Sequence, residues 1–139
     1  MIELTDEMRQ AINNALADRV PMVVAYVDAQ GQPNLSFRGS TQVYSDDQLA
    51  MWIRNLNGGL LREIAAHPKL ALLYRNPQTR LSWQFQGRAH IDDDPKVRET
   101  VYDSSPEGER NLDPERGGKA VIIDIDRVIQ RNQVVMERE

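Results

Sequence analysis

The chain has 139 residues, a net charge of −4 and no cysteine. This length suits one hydrophobic core, so we expect a single domain spanning residues 1–139. The dispersed basic residues argue against a nucleic-acid binder, and the lack of cysteine excludes disulfide scaffolds, zinc ribbons and thiol nucleophiles. Because only two histidines are present, no histidine-rich metal site is expected either.

The N-terminal part of the sequence predicts a helix followed by a β-hairpin. Residues 1–10, MIELTDEMRQ, are acidic and unlike a secretory leader, and no apolar run has the length of a membrane span. We therefore expect a cytoplasmic protein without a membrane partner. Thr5 as N-cap, followed by two acidic residues, predicts an amphipathic helix of about three turns. Residues 22–27 then read as a strand, and Gly31 turns the chain back into a second one.

The second strand of this hairpin, residues 34–44, has one strongly polar face. Its polar members alternate with apolar residues and include Ser36, Arg38 and Ser40. A charged side chain in the middle of a strand must be solvated, paired or used, so Arg38 is a candidate ligand-binding residue. Cross-strand pairing or simple exposure is the alternative. Residues 49–54 follow as a third strand, which predicts a three-stranded meander.

A glycine turn comes next, at Gly58 and Gly59, before the short apolar helix LLREIAA at residues 60–66. Glycines before a helix leave backbone N–H groups free, which suits a phosphate. Arg54 and Arg62 flank the turn, and either could bind a phosphate through two hydrogen bonds. The alternative is that Asn57 caps the helix and the glycines only let the chain turn.

The C-terminal half predicts three more strands, at residues 69–75, 81–92 and 120–130, with a helix at 95–102. The segment 104–118 is either a loop or partly helical, and the tail 134–139 either extends the last strand or frays. With about six strands and short connections, we expect a mainly β protein built as a small, mostly antiparallel barrel. No catalytic nucleophile or base stands out, so a cofactor would carry any reaction. Trp52 and Trp83 either stack on a ligand or belong to the core.

The order of these elements resembles a known family. The matching segments are Gly31-Gln32-Pro33, 36–40, 49–54, 58–64, His67-Pro68 and 70–74. Together they are similar to the pyridoxamine 5′-phosphate oxidase-like family of FMN-binding split barrels. The following LSWQFQGRA segment resembles the next strand of that family. The C-terminal tryptophan and arginine segment of true pyridoxamine phosphate oxidases has no match, so the resemblance does not imply vitamin B6 oxidation.

The resemblance implies a six-stranded split barrel that forms a homodimer, with an FMN site at the interface built from both chains. It places the flavin ring and ribityl chain along the strand segments 38–41 and 52–54, the phosphate at the glycine turn and helix start 58–60, and one further position against the partner's cofactor. These positions are Arg38, Gly39, Ser40, Thr41, Trp52, Ile53, Arg54, Gly58, Gly59, Leu60 and Ser82. Relatives often carry Lys or Arg where this chain has Leu60.

The activity implied by the resemblance is hydride transfer between FMN and either a reduced nicotinamide or another small-molecule substrate. Relatives of this fold also bind deazaflavin or haem. The alternatives are therefore a deazaflavin-dependent reductase and a non-catalytic protein that binds or stores flavin or haem.

Overall fold

The computed structural model describes all 139 residues. The chain forms eight strands and four short helices, joined by turns and loops. The helices are α1 (Asp6–Asn13), α2 (Gly59–Glu63), α3 (Pro95–Ser104) and α4 (Glu107–Arg110). The strands are β1 (Val23–Val27), β2 (Pro33–Phe37), β3 (Gln42–Ser45), β4 (Gln48–Ile53), β5 (Lys69–Asn76), β6 (Leu81–Asp92), β7 (Lys119–Gln130) and β8 (Gln133–Glu137). No helix has the length and apolar character needed to cross a membrane.

All strand pairs are antiparallel and belong to one sheet with the order β2-β1-β5-β6-β7-β4-β3. The long strand β7 pairs with β6 along one edge. Its other edge is shared, because residues 119–124 pair with β4 and residues 127–130 pair with β8. The predicted mainly β, mostly antiparallel split barrel is confirmed, with eight strands where about six were expected.

The predicted strand 34–44 is divided into β2 and β3 by a turn at residues 38–41. At this turn the Arg38 N–H donates to Met22 O at 2.9 Å. The Ser40 hydroxyl donates to Trp52 O and accepts from Trp52 N, both at 2.9 Å. The chain therefore leaves the edge of β1 and joins β4. Both antiparallel pairings of the predicted meander are present, β2 with β1 and β3 with β4, but its middle strand is broken, so β2 and β4 are not neighbours.

Three smaller predictions can be compared with the structure. The helix after the glycine turn has only five residues and begins at Gly59. The helix predicted at 95–102 is confirmed as α3, whose N-cap Asp94 accepts hydrogen bonds from the backbone N–H groups of Lys96 and Val97. The tail does not continue the last strand but folds back on it as β8.

The core has two parts, and β4 lies between them. Leu49, Met51 and Ile53 face the main core, which also contains α1 and the inner face of β5 and β6. Ala50 and Trp52 face a smaller cluster formed with α3 and β7. A strand covered on both sides must be apolar on both, which explains why β4 does not alternate between apolar and polar residues. The C-terminal end of β4 is thereby held firmly beside the turn at 38–41.

Candidate functional site

A cleft of about 420 Å³ opens where the turn at 38–41 meets the end of β4. Its volume lies within the range of ordinary ligand pockets, roughly 300–1,000 Å³. The cleft is lined by Phe37, Arg38, Gly39, Ser40, Trp52, Arg54, Asn55 and Glu109. Five of the residues that the sequence predicted as cofactor ligands thus lie together, and the lining is mostly polar.

Arg38 is the most unusual residue of the cleft. Its Nε is buried and has no hydrogen-bond partner in the protein. Burial lowers the pKa of Arg38, the nearby charge of Arg54 lowers it further, and Tyr26 and Glu109 oppose both effects. An unsatisfied buried donor costs about 1–3 kcal/mol, and more when the group is charged. The Arg38 guanidinium is therefore suited to an acceptor that the protein itself does not provide.

Arg54 supplies a second cation at the end of β4. Its side chain is about half exposed, and its Nε lies 3.9 Å from Glu109 Oε2. At that distance the two charges attract each other without forming a good hydrogen bond. Arg54 therefore retains N–H donors that are free for a ligand in the cleft.

Ser40 and Thr41 are buried, and their hydroxyl groups are used within the protein. Besides the two bonds of Ser40 to Trp52, the Thr41 hydroxyl donates to Arg38 O at 2.8 Å. The Gln42 side-chain amide donates to Ser40 O at 3.1 Å and to Val101 O at 3.0 Å. These bonds fix the backbone of the turn, and with it the point from which the Arg38 side chain enters the cleft.

Trp52 belongs mainly to the core and offers little of its ring for stacking on a ligand. It is only 5% exposed and packs edge-to-face against Tyr102, with ring centroids 5.2 Å apart. Its indole N–H donates to Asp113 Oδ2 at 2.8 Å, and Arg98 lies over the ring 5.3 Å from its centroid. Trp52 therefore forms a rigid wall of the cleft, and most of its ring is covered by protein. Trp83 is likewise buried, and it stacks on Tyr74.

Asp113 holds the wall in place and was not identified from the sequence. Its carboxylate accepts from Trp52 and from the backbone N–H groups of Gly117 and Gly118, at 3.0 and 2.9 Å. Burial opposes ionisation of Asp113, but these hydrogen bonds and the charge of Arg54 together keep its pKa below the ordinary value. Asp113 and Glu109 both come from the segment 104–118, which was expected to be a loop or partly helical and in which no periodic pattern could single them out.

The glycine turn lies beside the cleft, not in it. The Gly58 N–H donates to Asn55 O at 3.1 Å, and the Asn55 side chain packs on Gly58. A Cβ at Gly59 would overlap the Tyr26 hydroxyl. The N-cap of α2 is Gly58, without a side-chain hydrogen bond, so the alternative in which Asn57 caps the helix is wrong. Asn55, which lines the cleft, connects the turn to it.

The remaining predicted residues lie elsewhere. The side chains of Ile53 and Leu60 are buried in the main core, so only their backbone is available to a ligand. Thr41 is adjacent to the cleft but does not line it. Ser82 lines a different cleft of about 290 Å³, together with Arg75 and Arg80. Within one chain, the structure does not bring Ser82 to Arg38.

Comparisons with known proteins identify the family and the fold. The model of the pyridoxamine 5′-phosphate oxidase family matches residues 4–130. A search of curated proteins, in contrast, found no match.

Several solved structures share the fold. HupZ of Group A Streptococcus superposes with a TM-score of 0.71 at 23% identity, covering 98% of this chain and 99% of HupZ. A proposed pyridoxamine 5′-phosphate oxidase of Lactobacillus delbrueckii gives 0.70 at 19% identity, covering 94% and 96%. An FMN-binding protein of Syntrophomonas wolfei gives 0.63 at 9% identity, covering 96% and 87%. At these identities the likeness concerns the fold alone.

Proposed function

The chain belongs to the pyridoxamine 5′-phosphate oxidase family, and we propose that it is an FMN-dependent oxidoreductase that binds its cofactor in the cleft at Arg38. The observation that carries this proposal is the buried Arg38 Nε without a partner, in a cleft that contains a second arginine. A phosphate monoester supplies the missing acceptor together with up to two negative charges.

The residues of the cleft fit this cofactor. Arg38 and Arg54 bind the negative charge of the phosphate, and the firmly bonded turn at 38–41 holds the backbone of Arg38 at the cleft. Trp52 closes one wall against water. The backbone N–H of Gly59, next to Asn55 and Gly58, remains a candidate for a further contact, whereas the Gly58 N–H already donates to Asn55 O. When bound, FMN supplies the hydride acceptor and donor, which no side chain of this chain supplies.

We also propose that the protein is a homodimer. Leu35 and Phe37 on β2 are 73% and 70% exposed, and Val27 and Leu73 are exposed as well. Leu35, Phe37 and Leu73 lie on one face of the sheet. This follows from the register, in which Leu35 is opposite Ala25, and both Phe37 and Leu73 are opposite Val23. A contiguous exposed apolar face is typical of a protein–protein interface. Because Phe37 also lines the cleft, a partner on this face would lie beside the cofactor.

The visible spectrum of the purified protein tests the choice of cofactor. We expect a flavin band, either directly or after the protein is incubated with FMN and desalted. A Soret band would show that haem is the natural ligand. A colourless protein that takes up no FMN would contradict the proposal.

Rapid-mixing kinetics test the oxidoreductase activity. When the FMN-loaded protein is mixed with NADH or NADPH without oxygen, we expect the flavin band to bleach in a reaction that saturates with nicotinamide concentration. If neither nicotinamide bleaches it, a panel of small-molecule reductants and oxidants follows. A flavin that exchanges hydride with none of them would indicate a binding or storage protein instead.

A further inference from the structure

Glu109 is the one acidic side chain that lines the cleft. It belongs to α4, a four-residue helix that buries none of its residues. The Glu109 side chain is nevertheless only 19% exposed. Its carboxylate therefore extends into the cleft and not into solvent, although nothing in the packing of α4 requires this.

The carboxylate lies where an anionic ligand of the two arginines would be expected. Its Oε2 is 3.9 Å from Arg54 Nε, and its charge raises the pKa of Arg38 against the lowering effect of burial. Its Oε1 rests on Gly39 so closely that a Cβ at this position would overlap it. Glu109 thus cancels part of the positive charge in the cleft and fills part of its volume.

Nothing holds the carboxylate there firmly. It accepts no hydrogen bond within 3.5 Å, and its only ion pair is the long one to Arg54, which is half exposed. Pairs of this kind contribute little to stability. The α4 backbone, in contrast, is held by the hydrogen bonds of Glu109 N to Pro106 O and of Leu112 N to Glu109 O. The Glu109 side chain can therefore rotate out of the cleft while the helix stays in place.

We infer that Glu109 determines how tightly the cleft binds a phosphate group: its carboxylate occupies the anion position in the free protein and must leave when a phosphorylated ligand binds. This inference rests on the proposed function, because it concerns the same cleft. The carboxylate repels a phosphate but not a neutral ligand. Glu109 therefore reduces the preference for FMN over riboflavin and makes the cofactor easier to release.

Glu109→Gln tests the inference, with Glu107→Gln as the matched control. Both substitutions remove one negative charge from α4, but Glu107 does not line the cleft. The probe is inorganic phosphate, followed by NMR through the Nε–H signals of Arg38 and Arg54. We expect half-saturation at about tenfold lower phosphate in Glu109→Gln than in the other two proteins, as removal of a nearby like charge would give. Backbone spectra of all three show whether each variant is folded.

The inference is overturned if Glu109→Gln and the wild type respond to the same phosphate concentration. It is also overturned if Glu107→Gln responds as strongly as Glu109→Gln, or if phosphate shifts neither arginine signal in any protein. Parallel titrations with FMN and riboflavin keep the proposed function separate. If phosphate shows the Glu109 effect and FMN does not bind, the cofactor is wrong and the role of Glu109 stands. If FMN binds equally well with and without the Glu109 carboxylate, the proposed cofactor stands and the role of Glu109 is wrong.

Discussion

Arg38 and Asp113 are two partly buried charged residues in one region, and they differ in whether the protein satisfies their hydrogen bonds. Asp113 has three hydrogen-bond donors within the protein, whereas Arg38 Nε has no acceptor. A charge whose hydrogen bonds are satisfied stabilises the fold, and one left unsatisfied is available to a ligand. We therefore assign Asp113 to the structure and Arg38 to the function.

Asp113→Asn should destabilise the protein in a pH-dependent way. Hydrogen bonds to a charged group contribute about 1.5–3 kcal/mol, so we expect a loss of this order at pH 7. Since the folded-state pKa of Asp113 is lowered, its contribution is complete above the unfolded pKa of about 3.9 and is lost as the pH falls through the folded value. Urea unfolding at several pH values measures this.

The gap in stability between the wild type and Asp113→Asn should accordingly narrow below about pH 4. Glu115→Gln, a change at a nearby exposed carboxylate, serves as the control. A gap of constant size down to the acid transition would mean that the charge of Asp113 is unimportant.

At the scale of elements, the break between β2 and β3 depends on Ser40. Its hydroxyl makes two buried hydrogen bonds to the backbone of Trp52 and so replaces a pair of strand-to-strand bonds. Ser40→Ala leaves the Trp52 N–H and C=O without this partner, and we expect a loss of about 1–3 kcal/mol in the free energy of unfolding. Denaturant unfolding checks this, with Ser104→Ala, at an exposed position in α3, as the control. Equal stability of the two variants would contradict it.

The alternating pattern predicted the strands well but not this break. Residues 34–44 continue to alternate between polar and apolar through the turn. Ser40 is polar because it bonds the backbone of Trp52, and Arg38 is polar because it lines the cleft. Local sequence therefore looked like one continuous strand. The pairing of β7 with β6, β4 and β8 depends on contacts that are distant in sequence, and local patterns do not encode them.

Only part of the candidate site could be predicted, because here too contacts that are distant in sequence bring residues together. Arg38 could be identified because a charge in the middle of a strand requires an explanation, and Arg54 because it flanks the glycine turn. Glu109 and Asp113 come from a segment without periodicity, and only the folded chain brings them to the cleft. Leu60 was predicted as a ligand position, and its side chain fills the core instead.

At the scale of the whole molecule, the apolar face on β1, β2 and β5 should bind a second copy of the chain. Leu35→Glu places a charge in the middle of this face, and we expect the molar mass measured by light scattering to fall from that of a dimer to that of a monomer. Leu112→Glu, at a residue that is 60% exposed outside the sheet, should leave the mass unchanged. A wild-type protein that is monomeric at all concentrations would contradict the proposed dimer.

The central claim is that the cleft binds FMN through Arg38, and a titration with FMN tests it most directly. Quenching of flavin fluorescence gives the Kd for the wild type, for Arg38→Ala and for Lys96→Ala, which removes the same charge from an exposed position on α3. We predict one FMN per chain and a Kd at least about tenfold higher in Arg38→Ala only, as the loss of a charge-assisted contact implies. Equal affinity in all three proteins would contradict the claim.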